Sequence, residues 1–322
     1  MSIYRDDHEG FDRPRRRSRP RTKDRPDYSE APVARVVAID RGRYRCMLDD
    51  RMVTAVRGRL IPRKGVIVGD NVRLDGDTSG EEGTMARIVQ VEPRSTMLRR
   101  SADDADTFER PIVANASQLM IVTALADPPP RVGMIDRILV AAYDARIQPV
   151  LCLTKADLAS PDELREAYEP LGIPIVVTDP EADLGPVRDL LEEEVTVLVG
   201  HSGVGKSTLV NRLVPGANRV TAEVSELTGK GRHTSTSAIA MELPFGGWII
   251  DTPGVRSFGI SHVEPSSIVG AFPDLTALVE DCPRGCTHGS AEPECALDAA
   301  VEAGRLSPRR LGSLRRMERA FT

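Results

Sequence analysis

The sequence predicts a multidomain α/β protein with three folded parts: a small all-β barrel, an α/β domain with a mainly parallel sheet, and a C-terminal helical metal-binding domain. Three observations support this prediction. Short alternating segments fill residues 32–98, strands alternate with helices in residues 99–263, and three cysteines and a histidine crowd residues 264–322. At 322 residues and 40% hydrophobic content, the chain is long enough for several cores.

Composition and charge restrict the class of protein. No apolar run approaches the roughly 20 residues of a membrane helix, and the Arg-rich N-terminus lacks the apolar stretch of a secretion signal. We therefore expect a cytoplasmic monomer with no membrane partner. The five cysteines are an odd number, which suits a metal site better than a disulfide framework. Residues 1–100 contain 23 Lys and Arg but only 16 Asp and Glu, whereas the whole chain has a net charge of −5. We therefore expect the N-terminal part of the chain to bind a polyanion.

Residues 1–31 form a basic arm for which we predict disorder. Eight cations lie between Arg13 and Arg25 in a stretch with prolines and almost no apolar residues. Blocks of like charge often bind nucleic acid. Contact with RNA and a merely solvated tail both remain open.

Residues 32–98 are predicted to form an OB-type barrel, because five short strands with regular turns suit that fold. The strand patterns are Val33–Ile39, Tyr44–Leu48, Met52–Val56, Asn71–Leu74 and Thr84–Val91. Such barrels commonly bind nucleic acid; a barrel that serves only as a spacer is the alternative. Tyr44 is the one aromatic residue of this stretch, so we expect contacts to phosphate and to shape rather than stacked bases.

Residues 99–263 alternate between strand and helix patterns, which predicts a parallel sheet covered by helices on both faces. The strand patterns are Leu119–Ala124, Val150–Leu153, Ile173–Val177, Val195–Val199, Ala238–Leu243 and Trp248–Ile250. The helical patterns are Val132–Ala145, Pro161–Leu171 and Val187–Glu194.

A phosphate-binding loop follows the strand pattern Val195–Val199 and opens a helix. Backbone N–H groups at such a helix start point at phosphates, and the glycines allow close approach. We expect Lys206 to neutralise the β and γ oxygens, Ser207 to bind Mg²⁺, and Thr208 to contact the α-phosphate region. The predicted nucleotide-binding residues of this loop are Gly200, His201, Ser202, Gly203, Val204, Gly205, Lys206, Ser207 and Thr208.

Two further segments complete the predicted nucleotide site. Asp251 ends a strand and is expected to hold the magnesium, usually through water, while the N–H of Gly254 meets the γ-phosphate. In the segment Thr154-Lys155-Ala156-Asp157, the carboxylate of Asp157 can accept two N–H bonds from guanine, and Lys155 can lie along the base. Thr154 stands where the usual motif has Asn. A short string of this kind also arises by chance, so its weight comes from the combination.

The order of these motifs is reversed. In ordinary guanine-nucleotide switch proteins the base-recognition segment follows the phosphate loop, whereas here it precedes the loop. All three loops can still meet, because ligands bind at the carboxyl edge of a parallel sheet whatever the connectivity. The sequence therefore predicts a circularly permuted phosphate-loop GTPase domain.

The polar segment 229–236 lies between the phosphate loop and Asp251. Thr234 or Thr236 is expected to complete the magnesium shell. Many switch GTPases orient the attacking water with a Gln directly after the glycine that corresponds to Gly254, but Val255 stands there. His233 is therefore our candidate for the catalytic residue; a solvated loop histidine is the alternative.

Cys282, Cys286, His288 and Cys295 supply three thiolates and one imidazole, the ligand set of a closed structural Zn²⁺ site. Reactive or incidental thiols are the alternative. Two helical patterns follow at Ala296–Ala303 and Pro308–Ala320. The second carries five arginines that either face RNA or are simply solvated.

The chain resembles the ribosome small-subunit-dependent GTPase A family of bacteria over about residues 32–322. The resemblance rests on the reversed motif order, on Gly231-Arg232-His233-Thr234, on Gly200–Ser207 and Asp251–Gly254, and on the cysteine–histidine cluster. It implies an OB barrel, a permuted GTPase domain and a zinc domain that act in late assembly of the small ribosomal subunit. It also implies that His233 matches the family's candidate catalytic histidine. The sequence departs from the family pattern in two ways. Thr154 replaces Asn, which concerns base affinity, and the cysteine spacings are shifted by one residue, which concerns loop shape.

These observations favour a GTPase that binds Mg²⁺ with GTP, releases GDP and contacts the small subunit and its rRNA through the barrel and the zinc domain. We expect slow turnover alone and faster turnover on the subunit. A non-catalytic RNA-binding scaffold with GTP as a structural ligand is the second hypothesis. An ATP-dependent nucleic-acid enzyme conflicts with Asp157.

Overall fold

A computed structural model of the chain describes residues 27–100, 110–217, 238–252, 259–260, 263, 268–269, 272–289 and 292–319. The basic arm predicted at residues 1–31 lies almost entirely outside these ranges, so its disorder stays a prediction. Among the described helices, none is both long and apolar enough to cross a bilayer.

The first part of the fold is a closed five-stranded barrel. Its strands are β1 (Val33–Asp40), β2 (Arg43–Leu48), β3 (Arg51–Arg57), β4 (Asn71–Gly76) and β5 (Ala86–Val91). The order β1-β2-β3-β5-β4 returns to β1, which closes the sheet on itself. The pair β3 and β5 is parallel, whereas the other neighbours are antiparallel. Alternate residues such as Val36, Cys46 and Ile88 fill the interior. The predicted OB-type barrel is confirmed.

A two-stranded hairpin follows the barrel. It pairs β6 (Met97–Arg100) with β7 (Arg110–Ala114), and β6 spans the boundary predicted between residues 98 and 99. The N–H of Ala114 donates to the carbonyl of Val68 at 3.0 Å, which ties the hairpin to the barrel. Gly69 allows this approach, since its φ is +89° and a Cβ there would lie 2.1 Å from the carbonyl oxygen of Ala114.

The α/β part contains six strands and four α-helices among the described residues, with a short 3-10 helix at Glu169–Leu171. The strands are β8 (Gln118–Ala124), β9 (Gln148–Thr154), β10 (Ile175–Val177), β11 (Val195–Val199), β12 (Ile239–Glu242) and β13 (Trp248–Asp251). The helices are α1 (Val132–Asp144), α2 (Asp162–Tyr168), α3 (Gly185–Leu191) and α4 (Lys206–Leu213). In the order β10-β9-β8-β11-β13-β12 the first five strands are parallel and β12 is antiparallel. The predicted mainly parallel sheet is confirmed.

The barrel and the parallel sheet share one continuous set of strands. Strand β1 pairs with β12 at Ala38 and Ile239, so that eleven strands form a single sheet that ends in the closed barrel. The barrel is therefore joined to the α/β part by backbone pairing as well as by the chain.

The C-terminal part contains three described helices: α5 (Pro273–Val279), α6 (Ala296–Glu302) and α7 (Pro308–Glu318). Sequence analysis anticipated the last two and missed α5. For the arginines of α7 it left open RNA contact or solvation, but Arg310, Arg315 and Arg316 bind carboxylates of this chain. Because Asp136 lies on α1, the Arg316 pair fastens the C-terminal part to the α/β part.

Candidate nucleotide site and metal centre

The phosphate loop lies at the carboxyl end of β11, which runs between β8 and β13 in the sheet. The chain turns sharply here and enters α4 at Lys206. Gly203 and Gly205 have φ values of +86° and +89°, a region that residues with a Cβ rarely adopt. The local sequence thus folds as expected, with backbone amides at the start of a helix where phosphates bind well.

Lys206 joins the phosphate loop to the loop after β13. Its side chain is 8% exposed, and its ammonium forms an ion pair with Asp251 and donates to the carbonyl of Thr252 at 2.6 Å. The predicted phosphate-binding cation and the predicted magnesium carboxylate therefore lie together.

Thr154 joins the base-recognition segment to the phosphate loop. Its hydroxyl oxygen lies 2.6 Å from the carbonyl oxygen of Val204 and 3.2 Å from that of Thr123, and the side chain is buried. Thr154 and Val204 are 50 residues apart in the chain. The two motifs therefore meet at one edge of the sheet despite their reversed order.

A cavity open to solvent lies between these two motifs. Its lining residues are Thr154, Lys155, Thr178, Asp179, Pro180, Gly205, Thr208, Leu209 and Arg212. Asp157 is exposed in the turn after β9 and is not among them, while the Lys155 ammonium donates to the carbonyl of Asp127.

Sequence analysis missed the segment Thr178-Asp179-Pro180 in the cavity wall. The available signal was its place directly after the strand pattern Ile173–Val177, at the sheet edge that carries the other loops. Arg212 of α4 donates to the carbonyl of Asp179 at 2.9 Å, and the N–H of Ala156 donates to the carbonyl of Thr178 at 3.3 Å. This third loop is thereby held to both nucleotide motifs.

Four predicted site residues lie outside the described part of the chain: His233, Thr234, Thr236 and Gly254. The catalytic role of the histidine, the magnesium contacts of the threonines and the γ-phosphate contact of the glycine remain predictions.

The cysteine–histidine cluster forms a compact group in the C-terminal part. The ligand atoms of Cys282, Cys286, His288 and Cys295 all lie within 4.8 Å of one another. The Nδ1 atom of His288 is 3.5, 3.5 and 3.8 Å from the sulfurs of Cys282, Cys286 and Cys295. A tetrahedral zinc with its usual bond lengths needs sulfur–nitrogen separations of about 3.6 Å. The cluster can therefore hold a metal ion, and its dimensions fit zinc.

The surroundings of the cluster support ligation. Burial lowers the pKa of His288, which favours the neutral imidazole that binds metals. Arg315 donates to the carbonyls of His288 and Gly289 at 2.9 and 3.1 Å and forms an ion pair with Asp298. The ligand loop is thus fixed from α7.

Comparison with known proteins identifies the family. The RsgA GTPase family model matches residues 91–261. The small ribosomal subunit biogenesis GTPase RsgA of Pseudomonas aeruginosa is 39% identical to this chain over 259 residues. The alignment covers 78% of this chain and 74% of the relative. The chain belongs to the RsgA GTPase family. A Gemmatimonas aurantiaca protein of the same name is 37% identical over 274 residues, and the alignment covers 82% of this chain and 88% of the relative.

Solved structures agree with this RsgA family assignment. YjeQ from Thermotoga maritima matches with a TM-score of 0.67 and 25% identity, covering 89% of this chain and 97% of the other. YloQ, described as a circularly permuted GTPase, matches with a TM-score of 0.64 and 25% identity over 92% and 96%. The predicted resemblance and the permuted GTPase fold are confirmed.

Proposed function

We propose that this chain hydrolyses GTP during late maturation of the small ribosomal subunit, acting in the cytoplasm as a monomer. The observation that carries the proposal is the bond between the Thr154 hydroxyl and the Val204 carbonyl, which unites the base-recognition segment and the phosphate loop around one cavity. The names of the RsgA relatives support the ribosomal part of the proposal.

Each residue of the proposed site has a defined task. The loop amides and Lys206 bind the β- and γ-phosphates, Thr208 contacts the α-phosphate region, and Ser207 and Asp251 hold magnesium. Magnesium bound there offsets the charge that develops on the phosphates. At the other end, Asp157 accepts the N1 and N2 hydrogens of guanine, and Lys155 flanks the ring.

The proposed chemistry needs a group that orients water, and we assign it to His233. Without a Gln after Gly254, unassisted turnover is expected at about 10⁻⁴ to 10⁻² s⁻¹. Contact with the small subunit acts on the segment that carries His233 together with Thr234 or Thr236, one of which completes the magnesium shell. Turnover therefore rises on the subunit.

Multiple-turnover phosphate release with purified small subunits tests this function, with large subunits as the control. Small subunits should raise the rate well above that of the free chain. His233→Ala should retain GTP binding and lose on the order of 10²- to 10⁴-fold of the stimulated rate. Release limited to one turnover would favour the scaffold hypothesis, and an unchanged rate in His233→Ala would remove the histidine from the mechanism.

We further propose that the metal of the C-terminal cluster is a structural zinc ion. Three sulfurs and one imidazole nitrogen at these separations match a closed tetrahedral site, which leaves no coordination position for chemistry. Elemental analysis should find one zinc per chain, and Cys286→Ser should lower that content. Reactive thiols and no bound metal would contradict the proposal of a structural zinc ion.

A further inference from the structure

One face of helix α4 lines the nucleotide cavity. The residues of this face are Gly205, Thr208, Leu209 and Arg212. Their spacings of three, four and seven residues place them on one side of a helix, and seven residues of helix span about 10 Å. The same helix that begins at the phosphate loop therefore carries Arg212 to the loop after β10.

The Arg212 guanidinium joins two carbonyls of that loop. It donates to the carbonyl of Asp179 at 2.9 Å and to the carbonyl of Ala182. A guanidinium presents its donors in a planar, fixed arrangement, so a bridge between carbonyls three residues apart restrains the backbone between them. Arg212 thus fixes the position of the loop relative to α4.

The loop is also braced from within by the side chain of Asp179. Its Oδ1 atom accepts the N–H groups of Glu181 and Ala182 at 2.8 and 2.7 Å. The Thr178 hydroxyl donates to the carbonyl of Asp179 at 3.3 Å. Residues 178–182 therefore form a closed turn, and Arg212 holds this turn as a unit.

The wall segment Thr178-Asp179-Pro180 offers one main-chain donor to a ligand. The N–H of Thr178 donates to the carbonyl of Leu153 at 2.8 Å, and Pro180 has no N–H. Within the part of the chain that the structure describes, the N–H of Asp179 has no protein acceptor. Guanine carries an acceptor at its 6-position, whereas adenine carries an amino donor there.

We propose that Arg212 is a positioning residue for guanine selection, because it keeps the N–H of Asp179 within reach of the 6-carbonyl of the base. The inference rests on the proposed function, in which Asp157 binds the N1 and N2 edge of the same guanine. An amino group at position 6 would face another donor and is rejected. Arg212 acts through the loop and does not contact the nucleotide itself.

Displacement of a fluorescent GDP from the full chain by three diphosphates, in the presence of magnesium, tests this role. GDP has the 2-amino group and the 6-carbonyl. Inosine diphosphate lacks the 2-amino group, and 2,6-diaminopurine riboside diphosphate has an amino group in place of the 6-carbonyl. Because the three ligands have the same phosphates, the ratios of their affinities report on the base alone.

Arg212→Met keeps the aliphatic stem and removes the donors. The preference for GDP over the diaminopurine diphosphate should fall about three- to tenfold, which corresponds to one hydrogen bond. The preference for GDP over inosine diphosphate depends on Asp157 and should not change. Arg212→Lys should restore part of the first preference, since an ammonium lacks the planar fork that bridges two carbonyls. Arg165→Met, at an exposed position on α2 outside the cavity lining, is the matched control and should change neither ratio.

Two results would overturn the inference. An equal loss of affinity for all three diphosphates in Arg212→Met would show that the arginine contacts the nucleotide or supports the fold in general. An unchanged preference for GDP over the diaminopurine diphosphate would show that the loop does not select the base. Asp179→Ala frees the turn from within and should lower the same preference, so the test also stands if Arg212→Met does not fold.

Failure of the proposed function gives a different result from failure of this inference. A wild-type chain that binds the three diphosphates equally, or not at all, would defeat the proposed function. A wild-type preference for GDP that persists in both Arg212→Met and Asp179→Ala would defeat only the role of Arg212 and its loop.

Discussion

At the residue scale, Thr154 replaces the usual Asn of the base-recognition motif, and its hydroxyl contacts two backbone carbonyls. Its hydroxyl is a donor between two carbonyls, one on the neighbouring strand and one in the phosphate loop. The side chain is 5% exposed, so water does not readily replace this bond. The shape of the phosphate loop therefore depends on a residue of the base-recognition segment.

Thr154→Val keeps the side-chain shape and removes the donor. The Val204 carbonyl then loses its partner, and both GTP and GDP should bind about tenfold more weakly, since a lost hydrogen bond of this kind costs roughly 1 to 3 kcal/mol. Calorimetric titration measures the change, and Thr154→Ser, which keeps the hydroxyl, is the control. Wild-type affinity in the valine variant would show that the bond is not needed for nucleotide binding.

Asp157 allows a test of base recognition. Asp157→Asn replaces one acceptor by a donor, so GTP affinity should fall about 100-fold through loss of a charge-assisted pair. Xanthosine triphosphate should gain, because its 2-carbonyl accepts the new amide hydrogen. Asp162→Asn, a change at another exposed carboxylate, on α2, should alter neither affinity. Retained preference for GTP in Asp157→Asn would contradict the assignment.

At the element scale, helix α7 clamps the C-terminal part onto the α/β part. The Arg316 guanidinium donates to both oxygens of Asp136 at 3.1 and 3.2 Å and lies 4.6 Å from the ring centre of Tyr168. The Tyr168 hydroxyl donates to Asp136 at 3.0 Å. Burial raises the pKa of Asp136, even though Arg316 and the tyrosine bond lower it. The carboxylate is tolerated there because these partners compensate its charge.

Arg316→Met keeps the aliphatic stem and leaves the Asp136 carboxylate unpaired. The free energy of unfolding should fall by about 3 to 5 kcal/mol at neutral pH. The folded-state pKa of Asp136 is already raised, and it rises further without Arg316. A carboxyl of this kind favours the folded state at low pH and loses that contribution as pH rises through the folded-state pKa. The destabilisation should therefore shrink on acidification, as measured by urea unfolding at several pH values.

Arg309→Met is the matched control for this experiment. Arg309 lies on the same helix, but its ion pair with Glu166 is exposed, with 69% and 66% of the two side chains accessible. Its loss should cost about 0 to 1 kcal/mol at every pH. Equal effects of the two variants, or a loss in Arg316→Met that grows at low pH, would contradict the clamp.

At the scale of the whole molecule, the barrel is coupled to the nucleotide sheet through Trp248, the one tryptophan of the chain. Arg35 of β1 lies 5.2 Å from the Trp248 ring centre, and burial lowers the pKa of Arg35 despite the opposite effect of Glu242. Trp248 begins β13, and Asp251 ends it beside Lys206. We therefore expect any shift of β13 on nucleotide binding to reach the barrel through the contact between Trp248 and Arg35.

Tryptophan fluorescence checks this coupling. GTP draws the Lys206 ammonium from Asp251 towards phosphate, so Trp248 emission should change on GTP binding. Arg35→Met removes the cation above the ring and should reduce that change, whereas Arg43→Met, exposed on β2, should not. Trp248 emission that does not change on GTP binding, or a change in Arg35→Met as large as that in the wild type, would show that the barrel and the nucleotide site are not coupled.

Each element that the sequence predicted has its signal within a short stretch of the chain. The barrel strands alternate in polarity, β8 and β9 contain apolar runs at residues 119–122 and 149–153, and the phosphate loop is set by the glycines before Lys206. The β6–β7 hairpin escaped because the predicted domain boundary fell inside β6. Helix α5 has the same length as the predicted α2, α3 and α6, so its length does not explain why it was missed. The Thr178–Pro180 segment carries no residue type that marks a base site.

The sequence by itself determined the motifs and the ligand set of the metal centre, because each is a short stretch of chain, and the reversed order of the motifs can be read directly along the sequence. Only the tertiary structure decided that β1 continues the nucleotide sheet, that Thr154 holds Val204, and that Arg316 of α7 pairs with Asp136. Such contacts join segments tens to hundreds of residues apart. Their partners are selected by the packing of the whole core, which no local pattern contains.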